Sequence, residues 1–167
     1  MSGSLSRPAP APADGVPANP LAIYQKVIDL LSYATLHGDA EIIRNHIRVP
    51  FTMTTETAEF VYDDEDEDEM VASCLVYTAT LRGMGVTDYI RIAREARSLG
   101  ADRIEGVHYT HTIRRAERLM APYPSRMIIE RKDGVWAVTH ALHAITNDRE
   151  PIYMPVPAPG TDAPRPR

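Results

Sequence analysis

Four of the six histidines in this chain of 167 residues form two matching pairs. His108 and His111 lie in I-E-G-V-H-Y-T-H-T-I, and His140 and His143 lie in G-V-W-A-V-T-H-A-L-H-A-I. Imidazole side chains bind metals and exchange protons near neutral pH. Both segments are rich in β-branched and aromatic residues, which predicts strands. The chemistry open to the four histidines therefore depends on the strand faces that carry them.

Strand geometry separates the members of each pair. Side chains alternate between the two faces of a strand, so residues three apart point to opposite faces. In a meander, the segment 125–132 would also lie between the two histidine strands and hold same-face positions about 10 Å apart. A Zn²⁺ ion needs imidazole nitrogens about 2.0–2.1 Å away. We therefore expect no metal site and no other cofactor.

The distribution of apolar residues predicts which face of each strand points to the interior. The bulkier sets are Val107, Tyr109, His111 and Ile113 on the first strand, and Trp136, Val138, His140 and Leu142 on the last. If these sets face the interior, His111 and His140 line a pocket, and His108 and His143 lie on the outer face. The predicted pocket residues are Tyr24, Tyr33, Tyr109, Met127 and Trp136.

Two roles remain open for His111 and His140. A histidine on a mostly apolar face is often a hydrogen-bonded core residue. Alternatively, either one acts as general acid or base, with a pKa lowered by burial. The tyrosines would then orient a substrate oxygen.

The elements that position these residues begin with two helices. Asn19 is an N-cap before Pro20, apolar residues follow at helical spacing, and Gly38 suits the left-handed position after the helix. A second, short helix begins after Asp39, and Pro50 is expected to end it.

Later segments predict mostly strands. Short strands are expected at 51–55 and 57–62, a helix at 70–81, and strands at 104–115, 125–132 and 134–145, the last two joined by a tight Asp133-Gly134 turn. Residues 87–99 carry a helical stripe, so local propensity favours a helix there. Helices followed by antiparallel strands indicate an α+β fold.

This order resembles the nuclear transport factor 2-like superfamily, in particular its SnoaL-like branch. The resemblance is carried by N-P-L-A-I-Y-Q-K-V-I-D-L-L-S-Y-A-T-L-H-G-D, R-I-E-G-V-H-Y-T-H and P-Y-P-S-R-M-I-I-E-R-K-D-G-V-W-A-V-T-H. It implies a cone-shaped fold, with three helices in the N-terminal half packed on a curved, mostly antiparallel six-stranded sheet. It also implies that residues 88–99 form a strand, against their propensity, and that the outer sheet face forms a homodimer. Enzymes of this kind carry an Asp/His or Tyr/Asp pair in the cavity, and we identify no inward-facing Asp here.

Composition limits the remaining possibilities. Both ends are rich in proline, so a single domain is predicted for residues 20–150, between disordered tails at 1–19 and 151–167. One cysteine, Cys74, excludes an internal disulfide, and no apolar run reaches the length of a membrane span. We expect a cytoplasmic protein with no membrane or nucleic-acid partner, because the net charge is −5 and nucleic-acid binding needs a basic surface.

Seven consecutive acids at 63–69 make a single acidic run. We expect it to be a solvated turn leading into a helix, where carboxylates suit the positive end of the dipole. It could also dock a basic partner.

The sequence thus leaves three functional hypotheses. The first is a cone-fold protein that binds a small apolar or aromatic molecule. The second is a SnoaL-like isomerase, cyclase or dehydratase that uses His111 or His140. The third is a non-catalytic protein-interaction module.

Overall fold

A computed structural model describes residues 15–146, which contain three helices and seven strands. The predicted tail at 151–167 and most of the one at 1–19 lie outside the described residues. The three helices and the first two strands precede a long meander, as expected for the α+β cone. No helix of the described segment has the length and apolar character needed to cross a membrane.

The lead helix, α1 (Pro20–His37), begins and ends where the sequence predicts. The side chain of Asn19 accepts a hydrogen bond from the backbone N–H of Ala22, and Gly38 adopts the left-handed conformation, with φ of 72°. Asp39 caps α2 (Ala40–His46) in the same way, through the N–H of Ile42. The expectation that α2 runs to Pro50 is wrong. The chain is already extended at Ile47, and Pro50 lies inside the first strand.

The acidic run leads into the third helix, α3 (Glu67–Gly83), as predicted. Glu67, Asp68 and Glu69 form its first turn, where they face the positive end of the helix dipole. Arg44 of α2 contacts Glu67 at 2.6 Å and Asp68 at 2.9 Å. Both ion pairs are largely exposed, so each contributes little to stability.

The sheet contains β1 (Ile47–Thr54), β2 (Glu59–Tyr62), β3 (Asp88–Gly100), β4 (Arg103–Arg114), β5 (Glu117–Arg118), β6 (Tyr123–Lys132) and β7 (Val135–His143). The order across it is β2-β1-β7-β6-β4-β3, and the two-residue β5 pairs with the end of β4. The predicted six strands are therefore the main path. The pairing is antiparallel except between β1 and β7.

The segment with helical propensity is a strand. Residues 88–100 form β3, which pairs along nearly its whole length with β4. Long-range pairing overrides the local preference, which is weak. The strand expected from the resemblance is confirmed.

The main core lies between α1 and the concave face of the curved sheet. Tyr24, Ile28, Met53, Ile104 and Ile129 are all fully buried there. α1 makes its most extensive contact with β3. The concave face of the sheet is therefore covered by α1.

Candidate functional site

The structure reverses the predicted faces of the histidine strands. His108 is 0% exposed and His143 is 3% exposed, and both lie on the concave face. His111 is half-buried and His140 is exposed, and both lie on the convex face. The prediction that His111 and His140 face the interior is wrong, and so is the outward placement of His108 and His143.

On β4 the face prediction fails because the more apolar set of side chains was expected to point to the interior. The concave residues of β4 are Ile104, Gly106, His108, Thr110 and Thr112, which are all buried and mostly polar or small. The bulkier set, with Val107, Tyr109 and Ile113, lies half-buried on the convex face. The convex face is thus the more apolar one on this strand.

On β7 the error has a different cause. Ile129 pairs with Val138, but the preceding residue, Ile128, pairs with His140. Thr139 is therefore the extra residue of a β-bulge, which breaks the alternation of side chains. The concave side changes from Trp136 and Val138 before the bulge to Ala141 and His143 after it.

The register places three polar residues side by side on the concave face. His108 of β4 lies opposite Ser125 of β6, and Ser125 lies opposite His143 of β7. We call these three residues the histidine row. A second polar row runs beside it, because Thr110 lies opposite both Arg91 of β3 and Tyr123 of β6.

His108 is held by a tyrosine of the lead helix. The Tyr24 hydroxyl and Nδ1 of His108 are 2.7 Å apart in a buried contact. Burial raises the pKa of Tyr24, so its phenol stays protonated. Among the described residues, Nδ1 of His108 is the one side-chain acceptor for that proton. Tyr24 therefore donates, and the ring proton of His108 is on Nε2.

His143 has a comparable partner within the row. Its Nδ1 lies 2.7 Å from Oγ of Ser125, also in a buried contact. Burial lowers the pKa of His108 to about 2 and that of His143 to about 3, and the positive charge of Arg91 adds to both shifts. Both imidazoles are neutral at physiological pH.

Arg91 connects the rows to a group of tyrosines. Its guanidinium lies 4.8 Å from the ring centre of Tyr89, and Nη2 donates to the Tyr89 hydroxyl at 3.4 Å. The same hydroxyl accepts from Tyr77 of α3 at 3.2 Å and lies 3.3 Å from the hydroxyl of Tyr123. The end of the concave face that carries Arg91 is therefore polar and aromatic.

Several polar atoms of this face are buried without a hydrogen-bond partner among the described residues. They are Nε2 of His108, Nε2 of His143, Oγ1 of Thr110 and Oγ1 of Thr112. A buried polar group left unpaired costs about 1–3 kcal/mol. Such groups recur at sites that bind something polar.

The predicted pocket residues fall in different places. Tyr24 and Met127 line the concave face. Trp136 is half-buried at its opposite end, where it contributes to a groove with Ile23, Val27 and His46. Tyr109 lies on the convex face beneath Arg94. Tyr33 is 54% exposed and contacts His37.

An open groove of about 320 Å³ adjoins the polar end of the concave face. Its lining residues are Glu56, Met120, Ala121, Pro122, Tyr123, Pro124, Ala144, Ile145 and Thr146. Tyr123 belongs both to this groove and to the second polar row. Within residues 15–146, no group of three or more His, Cys, Asp or Glu side chains is arranged to hold a metal ion.

Sequence reasoning missed Arg91, Ser125 and Thr110. Arg91 lies in the segment 87–99, where the local pattern favours a helix, so that pattern gave no signal for its place on the concave face of a strand. Ser125 stood at the start of a predicted strand. Its place between the histidines could have been found by counting back from the Asp133-Gly134 turn, but only if the bulge at Thr139 were known.

Comparison with known proteins identifies the architecture. No family model and no curated protein matches the chain. Among solved structures, an NTF-2 like protein of unknown function from Shewanella oneidensis MR-1 aligns with 75% of this chain and 99% of its own, at 12% identity and a TM-score of 0.59. A domain of unknown function with a cystatin-like fold from Nostoc punctiforme PCC 73102 aligns with 80% and 83%, at 11% identity and a TM-score of 0.60.

A third similar structure carries a description that names an activity. It is a putative ketosteroid isomerase from Shewanella frigidimarina NCIMB 400, which aligns with 73% of this chain and 94% of its own, at 12% identity and a TM-score of 0.52. At such low identity these similarities identify the fold alone. The chain therefore has the nuclear transport factor 2-like, cystatin-like cone fold.

Proposed function

We propose that this protein binds a small apolar or aromatic molecule inside the cone, with a polar group of that molecule held by the histidine row. The observation that carries the proposal is the burial of both Nε2 atoms of the row without a partner among the described residues. The row lies beside the apolar Met127 and Ala141. A few convergent polar groups within an apolar surrounding are typical of small-molecule sites.

The electrostatics favour binding over proton transfer. An effective general base has a pKa near the working pH. The pKa values of about 2 and about 3 for His108 and His143 are far below that range. As neutral groups in a dry surrounding, however, both imidazoles make strong hydrogen bonds to a ligand.

Two adjacent substitutions on β6 test the site. We would screen small aromatic compounds for binding by native mass spectrometry, then compare Ser125→Ala with Arg126→Ala. Ser125 is buried on the concave face, and Arg126 is exposed on the other. Ser125→Ala removes the partner that fixes Nδ1 of His143, so the imidazole would no longer be held toward the ligand, and we expect binding to weaken about tenfold. Equal binding by both variants would refute the assignment of the site.

We further propose a homodimer formed through the convex face. Ile90, Ile92 and Leu142 are 42%, 43% and 48% exposed there. The half-buried Val107 and Ile128 lie on the same face of the central strands, and the exposed Arg126 lies between Val107 and Leu142. Exposed apolar residues that gather on one face often mark a protein interface.

The alternative is an acid–base enzyme of the SnoaL-like type that performs isomerisation, cyclisation or dehydration. The observation that favours it is the buried contact between Tyr24 and His108 at 2.7 Å. The catalytic role of His111 and His140 stays a prediction, but its basis in the face assignment is lost. On any substrate found, His108→Gln and Tyr24→Phe should abolish turnover, and full activity in both would exclude this mechanism.

A protein-interaction role for the acidic run stays a second alternative. Asp63, Asp64 and Glu65 are exposed, and Arg44 compensates part of the charge that follows them. Replacing residues 63–65 by serine, with Arg44 and its partners unchanged, should abolish binding to a basic peptide if this role is real. A cytoplasmic location also stays a prediction.

A further inference from the structure

Arg91 differs from every other charged residue of the described segment. Among Arg, Lys, Asp and Glu side chains within residues 15–146, it is the one that is buried, at 4% exposure. It lies on the concave face directly opposite Thr110. Its positive charge acts on both His108 and His143. The one buried formal charge of residues 15–146 is therefore positive, although the whole chain carries a net charge of −5.

The polar atoms around Arg91 are mostly hydrogen-bond donors. The guanidinium only donates, and Nε2 of His108 carries its ring proton because Tyr24 donates to Nδ1. Oγ1 of Thr110 lies buried between Arg91 and Tyr123 and has no partner among the described residues. A carboxylate accepts through two oxygens and donates nothing, so it suits this set of donors.

The groove beside Tyr123 supplies room for the rest of such a ligand. Met120, Pro122 and Ile145 give it apolar walls. Tyr123 is the lining residue nearest to Arg91 in this set of contacts: its hydroxyl contacts that of Tyr89, which accepts from Arg91, so a chain of hydrogen bonds through two tyrosines leads from the groove to the guanidinium. Glu56 is exposed at the rim. Its charge would repel a carboxylate from the rim and favour the orientation with the carboxylate inside.

We infer that the site binds a small organic acid, with the carboxylate near Arg91 and Thr110 and the apolar body in the groove. The inference rests on the proposed function and names its ligand class. A carboxylate gains from the charge of Arg91 whichever other contacts the guanidinium keeps. The arrangement also predicts selectivity against a neutral amide of the same shape, because the amide nitrogen would meet donors.

Phenylacetate and phenylacetamide form a matched pair of probes, since they differ only in the polar group. Binding of each to the full chain would be measured by NMR titration at pH 7. We expect phenylacetate to bind at least about tenfold more tightly than the amide, because charge-assisted hydrogen bonds are the stronger ones. Equal affinities, or a preference for the amide, would overturn the inference.

Two substitutions on β3 test whether Arg91 causes the preference for phenylacetate over phenylacetamide. Arg91→Met removes the buried charge, and Arg94→Met removes an exposed charge near the convex Tyr109. The preference for phenylacetate should disappear in Arg91→Met and persist in Arg94→Met. If Arg91→Met does not fold, Thr110→Val replaces it, because this change keeps the shape and removes one donor. If the preference for phenylacetate persists in Arg91→Met, or in Thr110→Val where that variant replaces it, the inference is refuted.

The outcomes separate the ligand class from the proposed function. If neutral aromatic compounds bind at the concave face as well as acids do, the carboxylate inference fails and the proposed function stands. If neither class binds there, both fail. Tight binding of the acid that depends on Arg91 supports both.

Discussion

Gly106 of β4 lies directly beneath the ring of Tyr24. A Cβ atom at position 106 would stand 2.6 Å from three carbons of that ring, closer than real Cβ contacts allow. The tyrosine therefore reaches His108 only because position 106 has no side chain. The absence of a side chain at position 106 thus allows the hydrogen bond between Tyr24 and His108, which lies two residues further along the same strand.

Gly106→Ala should consequently destabilise the protein. The Tyr24 ring has to move, which strains the packing by about 1–3 kcal/mol. Urea unfolding measures this loss. Gly83→Ala is the matched control, because a Cβ there meets nothing within 4 Å and alanine is the better helix former. Equal stability of the two variants would contradict the close approach.

Tyr24→Phe tests the hydrogen bond without changing the shape of the ring. Nδ1 of His108 would lose its partner in a buried setting, at a cost of about 1–3 kcal/mol. Tyr33→Phe removes the same atom from a residue that is 54% exposed and should change the free energy of unfolding by less than about 0.5 kcal/mol. Similar losses in both variants would exclude a buried Tyr24–His108 bond.

Stability should fall as the pH drops below about 6.5. Folding lowers the pKa of His108 to about 2 and that of His143 to about 3, so the unfolded chain binds more protons than the folded one between those values and 6.5. Because of this difference in proton binding, each histidine lowers the free energy of unfolding by about 2 kcal/mol at pH 5. His143→Asn keeps a group able to reach Ser125 and should show a smaller loss between pH 7 and pH 5 in urea unfolding. Identical losses in the variant and the wild type would contradict a neutral, buried His143.

The proposed dimer predicts a response to charge on the convex face. Leu142→Arg places a cation in the apolar surface at a residue that is 48% exposed, and should convert dimer to monomer. Val76→Arg on α3, where Val76 is 39% exposed, should leave the dimer intact. Size-exclusion chromatography with light scattering distinguishes the two states. A monomeric wild type, or dissociation by Val76→Arg alone, would refute the interface.

The sequence predicted the element order better than it predicted the faces. The caps at Asn19, Gly38 and Asp39 depend on neighbouring residues, and they were predicted correctly. The strand at 88–100 depends on pairing with a distant segment, and only the resemblance to a known fold supplied it. Local patterns and fold order together therefore gave the architecture.

The site could not be predicted because the assignment of side chains to the two sheet faces failed on both β4 and β7. On β4 the concave residues are the polar ones, since the fold keeps His108 and Thr110 inside and leaves Tyr109 outside. On β7 the bulge at Thr139 moves His143 to the concave face. A bulge depends on the pairing of two strands and has no clear signal in one of them. Tyr24 and Met127 were predicted correctly because Tyr24 lies on α1 and Met127 on β6, where neither error applies.

The proposed function requires that the concave face, and not the convex one, receives the ligand. Methyl-resolved NMR tests it most directly, because Met127 and Ile128 are adjacent in the chain and lie on opposite faces. Titration with the tightest aromatic compound from the screen should shift the methyl signals of Met127, Thr110 and Thr112, and leave those of Ile128 and Leu142 unchanged. Shifts confined to Ile128 and Leu142 would place the ligand on the convex face and refute the proposed site.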